Sequence, residues 1–242
     1  MDECGAALFH CFSRQCSAHD IVAALRSARA EIAPLPVTAK PHSADEKQRI
    51  EMARRIWREA RDPRGTIVQD YLFGRGFTGL MPEAFCTHAS PGTLARVGVG
   101  LAIPASIRFH PRLKHQGGTS LPAMVCAIED HDGRTVGVHR TYLKPEGTAK
   151  AEAEPNKMAL GRVRGCAVRL TAGDPMLVIC EGVETGLSIL QATGLHVWAA
   201  LGTSNLWQIE LPAFVGEVII GADHDEPGLK AARHAAEGYC KY

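Results

Sequence analysis

Two apolar runs, Met176-Leu-Val-Ile-Cys180 and Glu217–Ala222, each give way at once to acidic residues: Glu181 after the first, Asp223 and Asp225 after the second. Unbroken apolar runs of this kind read as strands buried on both faces. Between them Val183, Leu187 and Leu190 fall at helical spacing, and Gly194 supplies a C-terminal stop. His196–Ala200 then reads as a third strand. A strand–helix–strand unit requires a parallel pair, because the helix carries the chain back to the starting edge. Ser204–Leu211 is expected to form a second short helix closed by Pro212, and a last helix begins at Pro227. The pattern predicts an α/β unit, a parallel sheet with helices on its faces.

Upstream the period changes. Ala44–Arg61 places Ile50, Ala53, Ile56 or Trp57, and Ala60 on one face of a helix, and Val68–Gly76 reads as a shorter helix ended by glycine. Ile107–Pro111, Pro122–Glu129 and Thr135–Leu143 are β-rich, and the Asp130-His-Asp-Gly-Arg134 turn joins the last two into a hairpin. Nearer the start, Ala18–Arg29 is amphipathic, while residues 31–46 carry Pro34, Pro36 and Pro41 and read as a linker. The expected division is 1–30, 31–65, 66–170 and 171–242.

Composition narrows the partners. With 45% apolar and 22% charged residues the chain is globular, and a formal net charge of +1 gives no global nucleic-acid signal, so any basic surface is local. No apolar run reaches the ~18 residues of a membrane span. The N-terminus is no signal peptide, and a cytoplasmic protein is expected. Eight cysteines at irregular spacings, Cys126 and Cys180 among them inside apolar strands, read as reduced thiols.

The carboxyl ends of parallel strands share one edge, where doubly wound sheets place ligands. Glu181, Asp223 and Asp225 should converge there. Asp223 and Asp225, two apart on extended backbone, point the same way and could face one cation; hard oxygens in small number suit Mg²⁺. The plain alternative is that Glu181 caps the next helix and the Asp pair is a solvated turn, but two acidic clusters at matching strand ends favour the functional reading. Near the start, Cys4, His10, Cys11, Cys16 and His19 could supply a tetrahedral Zn²⁺ site, or be thiols near a terminus. Arg49, Arg54, Arg55, Arg58 and Arg61 are interleaved with acids and read as a solvated helix face. His139, Arg140, Lys144, Lys157, Arg162 and Arg164 precede the acidic sheet and form a candidate basic wall for phosphates, although Arg140 alone could be an outward strand residue. His110 and His139 are expected to be structural or peripheral.

Glu181-Gly-Val-Glu-Thr-Gly-Leu-Ser, Ala200-Leu-Gly-Thr203 and Ala222-Asp-His-Asp-Glu-Pro-Gly228 resemble the Toprim domain of primases, topoisomerases and related nucleases. The Leu-Gly-Thr element points to the primase branch. The Tyr-Leu-x-x-Arg-Gly element from Tyr71 to Gly76, continuing through the hairpin, resembles the subdomain preceding Toprim in bacterial primases, and Phe9–Leu25 resembles the second half of the zinc ribbon of phage and plasmid primases. The resemblance implies an α/β fold, a Toprim parallel sheet preceded by a mixed α+β primase-type subdomain. It implies Glu181 as general acid/base and further metal ligand, and Asp223 and Asp225 as Mg²⁺ ligands for phosphoryl transfer. Arg140 and Lys157 match basic positions of the primase cleft and would bind nucleotide or DNA. Cys11 and Cys16 match the zinc pair, with the upstream pair missing.

The implied function is Mg²⁺-dependent synthesis of short RNA primers on single-stranded DNA from nucleoside triphosphates, in replication of a mobile element, with a replicative helicase as partner and no membrane. A Toprim nuclease and a degenerate, non-catalytic DNA-binding primase fragment are the alternatives. Toprim sheets of the resembled family usually gain a strand after the Asp-x-Asp helix. Here the sequence stops at that helix, so a fragment, or an open sheet edge that self-associates or takes a partner, is expected.

Overall fold

This computed structural model describes residues 7–9, 44–77, 102–223 and 225–240. In order these form β1 (Ala7–Phe9), α1 (Ala44–Glu59), α2 (Ile67–Gly74), β2 (Ile107–Lys114), β3 (Ser120–Glu129), β4 (Thr135–Tyr142) and β5 (Lys157–Gly161). There follow β6 (Val168–Arg169), β7 (Met176–Cys180), α3 (Val183–Thr193), β8 (His196–Ala199), a 3₁₀ turn at Thr203–Asn205, β9 (Glu217–Gly221) and α4 (Glu226–Cys240). Cys4, His10, Cys11, Cys16 and His19, and with them the zinc expectation and the Ala18–Arg29 helix, lie outside the described residues.

Period-2 burial divides the antiparallel sheet β2-β3-β4-β5 into two faces. Ala123, Val125, Val138 and Tyr142 pack with Ala53 of α1 in one core, while Met124, Cys126 and Ile128 look the other way, into a core shared with Val178, Leu187 and Val197. The hairpin turn forms as the sequence predicts. Asp130 Oδ1 accepts from the Asp132 and Arg134 amides at 3.1 and 2.9 Å, and Gly133 takes the left-handed φ of 76°.

The second sheet runs β1-β9-β7-β8-β6. β7 is paired in parallel with both β8 and β9, and Val178, Ile179, Ile219 and Val197 are fully buried, as unbroken apolar runs require. Gly194 ends α3 in the left-handed conformation, its N–H donating to Leu190 O. The α/β class with a parallel sheet is therefore present. β6, antiparallel to β8, adds an edge strand too short for its sequence to announce.

Two expectations are corrected. Ser204–Leu211 is not a helix beyond the 3₁₀ turn, because Glu210 N donates to Gly165 O at 2.9 Å instead of to its own preceding turn. Asn205 fixes this departure: its amide accepts from Gly165 N at 3.0 Å and donates to Val163 O, Cys166 O and Ala200 O at 3.1, 2.9 and 2.8 Å. The β9 edge is also not open along its length, since Ala7–Phe9 pairs with Ile219–Gly221 in parallel. β1 thus flanks β9 on the side away from β7. No helix among the described residues is long and apolar enough to cross a membrane.

Candidate active site

From β7 the chain crosses to β8 on one side and later to β9 on the other, so the crevice beyond the carboxyl ends of β7 and β9 is the switch point of the sheet. Glu181 follows β7, and Asp223 and Asp225 follow β9. The Glu181 backbone is clamped: Ala200 N donates to Cys180 O at 2.8 Å and Leu201 N to Glu181 O at 2.7 Å, with Leu201 at φ 67°. A non-glycine residue with that φ carries strain that its surroundings must hold in place. Here the Leu-Gly-Thr turn extends the β7–β8 ladder to the residue bearing the carboxyl group.

Asp225 accepts from Gly228 N through Oδ1 at 2.7 Å and from Leu229 N through its carbonyl at 2.9 Å, so it caps α4. A Cβ on Gly228 would lie 2.7 Å from Asp223 O, which explains the glycine in the motif. Thr185 Oγ1 reaches Asp223 Oδ1 at 3.4 Å. Burial raises the Glu181 carboxyl above the ordinary glutamate range, and the charges of Asp223 and then Asp225 push it further, against Lys157. The three carboxylates thus share one electrostatic environment. They do not close into a cage: among the described residues no three His, Cys, Asp or Glu are arranged to hold a metal. Asp225 has committed one oxygen to its helix, and unneutralised carboxylates repel.

Beside this acidic edge lies a basic group gathered by Glu184, in the first turn of α3. Lys157 Nζ and Lys150 Nζ donate to Glu184 Oε2 at 2.9 and 3.2 Å, Tyr71 donates its hydroxyl to Oε1, and Arg75 Nε lies 3.8 Å from Oε1. Burial opposes ionisation of Glu184, yet the bonds from Tyr71 and Lys157 and the lysine charges prevail and bring it down to about 2. Lys150 is lowered by desolvation first, with Glu184 opposing and Lys157 adding to the fall. Lys157 thus lies beside the acidic edge. Lys150, Glu184, Tyr71 and Arg75 were not among the expected site residues, although Tyr71 and Arg75 lie in the Tyr-Leu-x-x-Arg-Gly element and Glu184 follows Glu181 by one helical turn.

Arg140 is not brought to this place. Its register partners are Val125 and Met158, which puts it on the α1 face of the sheet, whereas Lys157 pairs with Thr141 on the other. Arg140 is 8% exposed and donates to Ala159 O at 3.2 Å. His139, beside it on the chain, does face the lysines. Its Nδ1 is buried with no hydrogen-bond partner among the described residues, and desolvation, then Lys157 and Arg140, lower it to about 4, so it is neutral at pH 7.

The family model described as Toprim domain matches residues 176–240, and the model described as Domain of unknown function (DUF7146) matches residues 47–170, just over half of the 242. No curated protein matches the chain. Among solved structures, the primase fragment of bacteriophage T7 primase-helicase protein is similar at 19% identity and TM-score 0.39, covering 55% of this chain and 52% of that one. The DnaG primase catalytic domain bound to ssDNA gives 18% identity and TM-score 0.44 over 80% of this chain and 69% of that one. The E. coli primase catalytic core gives 17% and 0.45 over 79% and 66%. The chain thus spans about half the length of the T7 fragment. On the match over residues 47–170, joined to a Toprim domain whose acidic residues meet at the switch point of its sheet, the chain belongs to the DUF7146 family.

Proposed function

We propose that this protein carries out Mg²⁺-dependent nucleotidyl transfer, joining nucleoside triphosphates into a short RNA primer on single-stranded DNA. The observation that carries the reading is that Glu181, which feels the charges of Asp223 and Asp225, also feels Lys157, one of the two lysines that Glu184 holds. Carboxylates of one sign would repel a polyanion; paired with a cation and with lysines beside them they suit it.

Asp223 and Asp225 are the residues that would hold Mg²⁺. Their donor chemistry fits, since this ion takes hard oxygens and commonly uses one or two carboxylates, waters and substrate phosphates instead of an all-protein cage. Two carboxylates that raise a third are a site short of positive charge. Held there, the ion would supply charge neutralisation on the phosphoryl group being attacked. Glu181, half-buried and with its carboxyl already raised, would take the proton of the attacking hydroxyl as its oxygen bonds the α-phosphorus of the incoming triphosphate and pyrophosphate leaves. Lys157 and Lys150 would bind the triphosphate, leaving Glu184 as their shared anchor. Arg140, on the other face, has no part in this reading. A mobile-element setting and a helicase partner belong to the same proposal.

Labelled nucleotides supplied with single-stranded DNA and Mg²⁺ test the reading. Template-dependent short RNA that disappears in Asp223→Asn is the expected result. Cleavage of the DNA would replace it with the nuclease alternative, and DNA binding with neither activity would leave a non-catalytic fragment.

A further inference from the structure

α3 has three hydroxyl residues, and they behave differently. Ser188 and Thr193 follow helical habit and donate to the carbonyls four residues back, Glu184 O at 3.1 Å and Ile189 O at 2.7 Å. Thr185 does not. The carbonyl four residues before it is Glu181 O, and that oxygen already accepts from Leu201 N at 2.7 Å. The Thr185 hydroxyl turns outward instead and meets Asp223 Oδ1 at 3.4 Å, at the long end of a hydroxyl–carboxylate contact. It does not cap its own helix either, since the N-cap is Gly182, which has no side chain to exchange bonds with.

The contact links the two acidic clusters, one on the helix after β7 and the other at the end of β9. Of the two aspartates, Asp225 has its Oδ1 fixed by the Gly228 amide. Among the described residues the side-chain donor to Asp223 is Thr185. One oxygen of each carboxylate thereby meets a donor of the protein.

We propose that Thr185 is a positioning residue that orients the Asp223 carboxylate for a divalent cation. The proposal rests on the metal reading above and concerns how the site is set. A donor behind a ligating carboxylate typically contributes 10–100-fold in metal affinity, which sets the size of effect to look for.

The test is Mg²⁺ and Mn²⁺ binding to the full chain by isothermal titration calorimetry, with no nucleotide or DNA present. Thr185→Val keeps the branched shape without the hydroxyl, Thr185→Ser keeps the hydroxyl without the methyl, and Asp223→Asn removes the carboxylate. Thermal melting of each variant is run alongside. The expected pattern is binding weakened about 10-fold or more in Thr185→Val, near wild-type in Thr185→Ser, and lost in Asp223→Asn. Wild-type affinity in a folded Thr185→Val, with Asp223→Asn still defective, would overturn the proposal and leave the metal reading standing. Undiminished binding in Asp223→Asn would overturn both. Should Thr185→Val not fold, Thr185→Ser against Thr185→Ala decides: equal affinity in the two means that the hydroxyl orients nothing.

Discussion

At the residue scale the molecule rests on charges that are buried and answered. Glu184 is ionised because Tyr71, Lys150 and Lys157 donate to it, and its side chain is only 17% exposed. A carboxyl at 4.5 in the unfolded chain and about 2 in the folded one stabilises the fold fully above pH 4.5, and that stabilisation is lost as pH falls toward 2. The difference corresponds to about 3 kcal/mol. Glu184→Gln should therefore lower stability by about 2–3 kcal/mol at pH 7, read by urea denaturation, with the gap to wild type closing at low pH. A constant gap down to pH 2 would mean that packing, and not charge, is at stake. His139 acts in a higher window. Its folded value of about 4 lies below the unfolded 6.5, so the unfolded chain takes up the proton first and stability falls as pH drops from 6.5 to 4, by up to about 3 kcal/mol. His139→Gln should flatten that part of the stability profile.

At the scale of elements, long periodic runs were legible and short or exchanged ones were not. Met176–Cys180, the helix ending at Gly194 and the hairpin about Asp130–Arg134 stand where their residues place them, since burial and turn chemistry are local. β1 and β6 are too short to carry a period, and each is a strand only because a longer neighbour offers its edge. Arg140 shows the same limit within a strand. Alternation says that it lies opposite its neighbours, but the side on which α1 sits is a tertiary fact. Glu181, Asp223 and Asp225 were readable because strand ends on one edge fix where they meet, while Glu184 looked like any first-turn acid. Asn205 has every polar atom of its amide engaged, so Asn205→Ala should cost about 2–4 kcal/mol by leaving carbonyls of the 163–166 loop unpaired, measured by chemical denaturation. Removing residues 1–9 should bare the β9 edge and promote association visible by light scattering.

At the scale of the molecule, one apolar core joins both sheets, and Glu184 ties them at the crevice through Tyr71 of α2 and Lys157 of β5. The net charge of +1 cannot attract a polyanion, so under the proposed function any affinity for single-stranded DNA would have to come from that local basic group. Each lysine that meets a phosphate releases about 0.7 of a counterion in single-strand binding. Lys157→Ala and Lys150→Ala should each weaken DNA or triphosphate binding and lower the log–log salt slope by about 0.7. Arg140→Ala should differ in kind. Arg140 is 8% exposed on the α1 face, so its loss should lower the melting temperature and leave the salt slope unchanged. Fluorescence anisotropy with a labelled oligonucleotide at several salt concentrations separates the two outcomes. A slope that falls in Arg140→Ala, and not in the lysine variants, would place the polyanion on the opposite face of the antiparallel sheet and remove the basic wall from the proposed site.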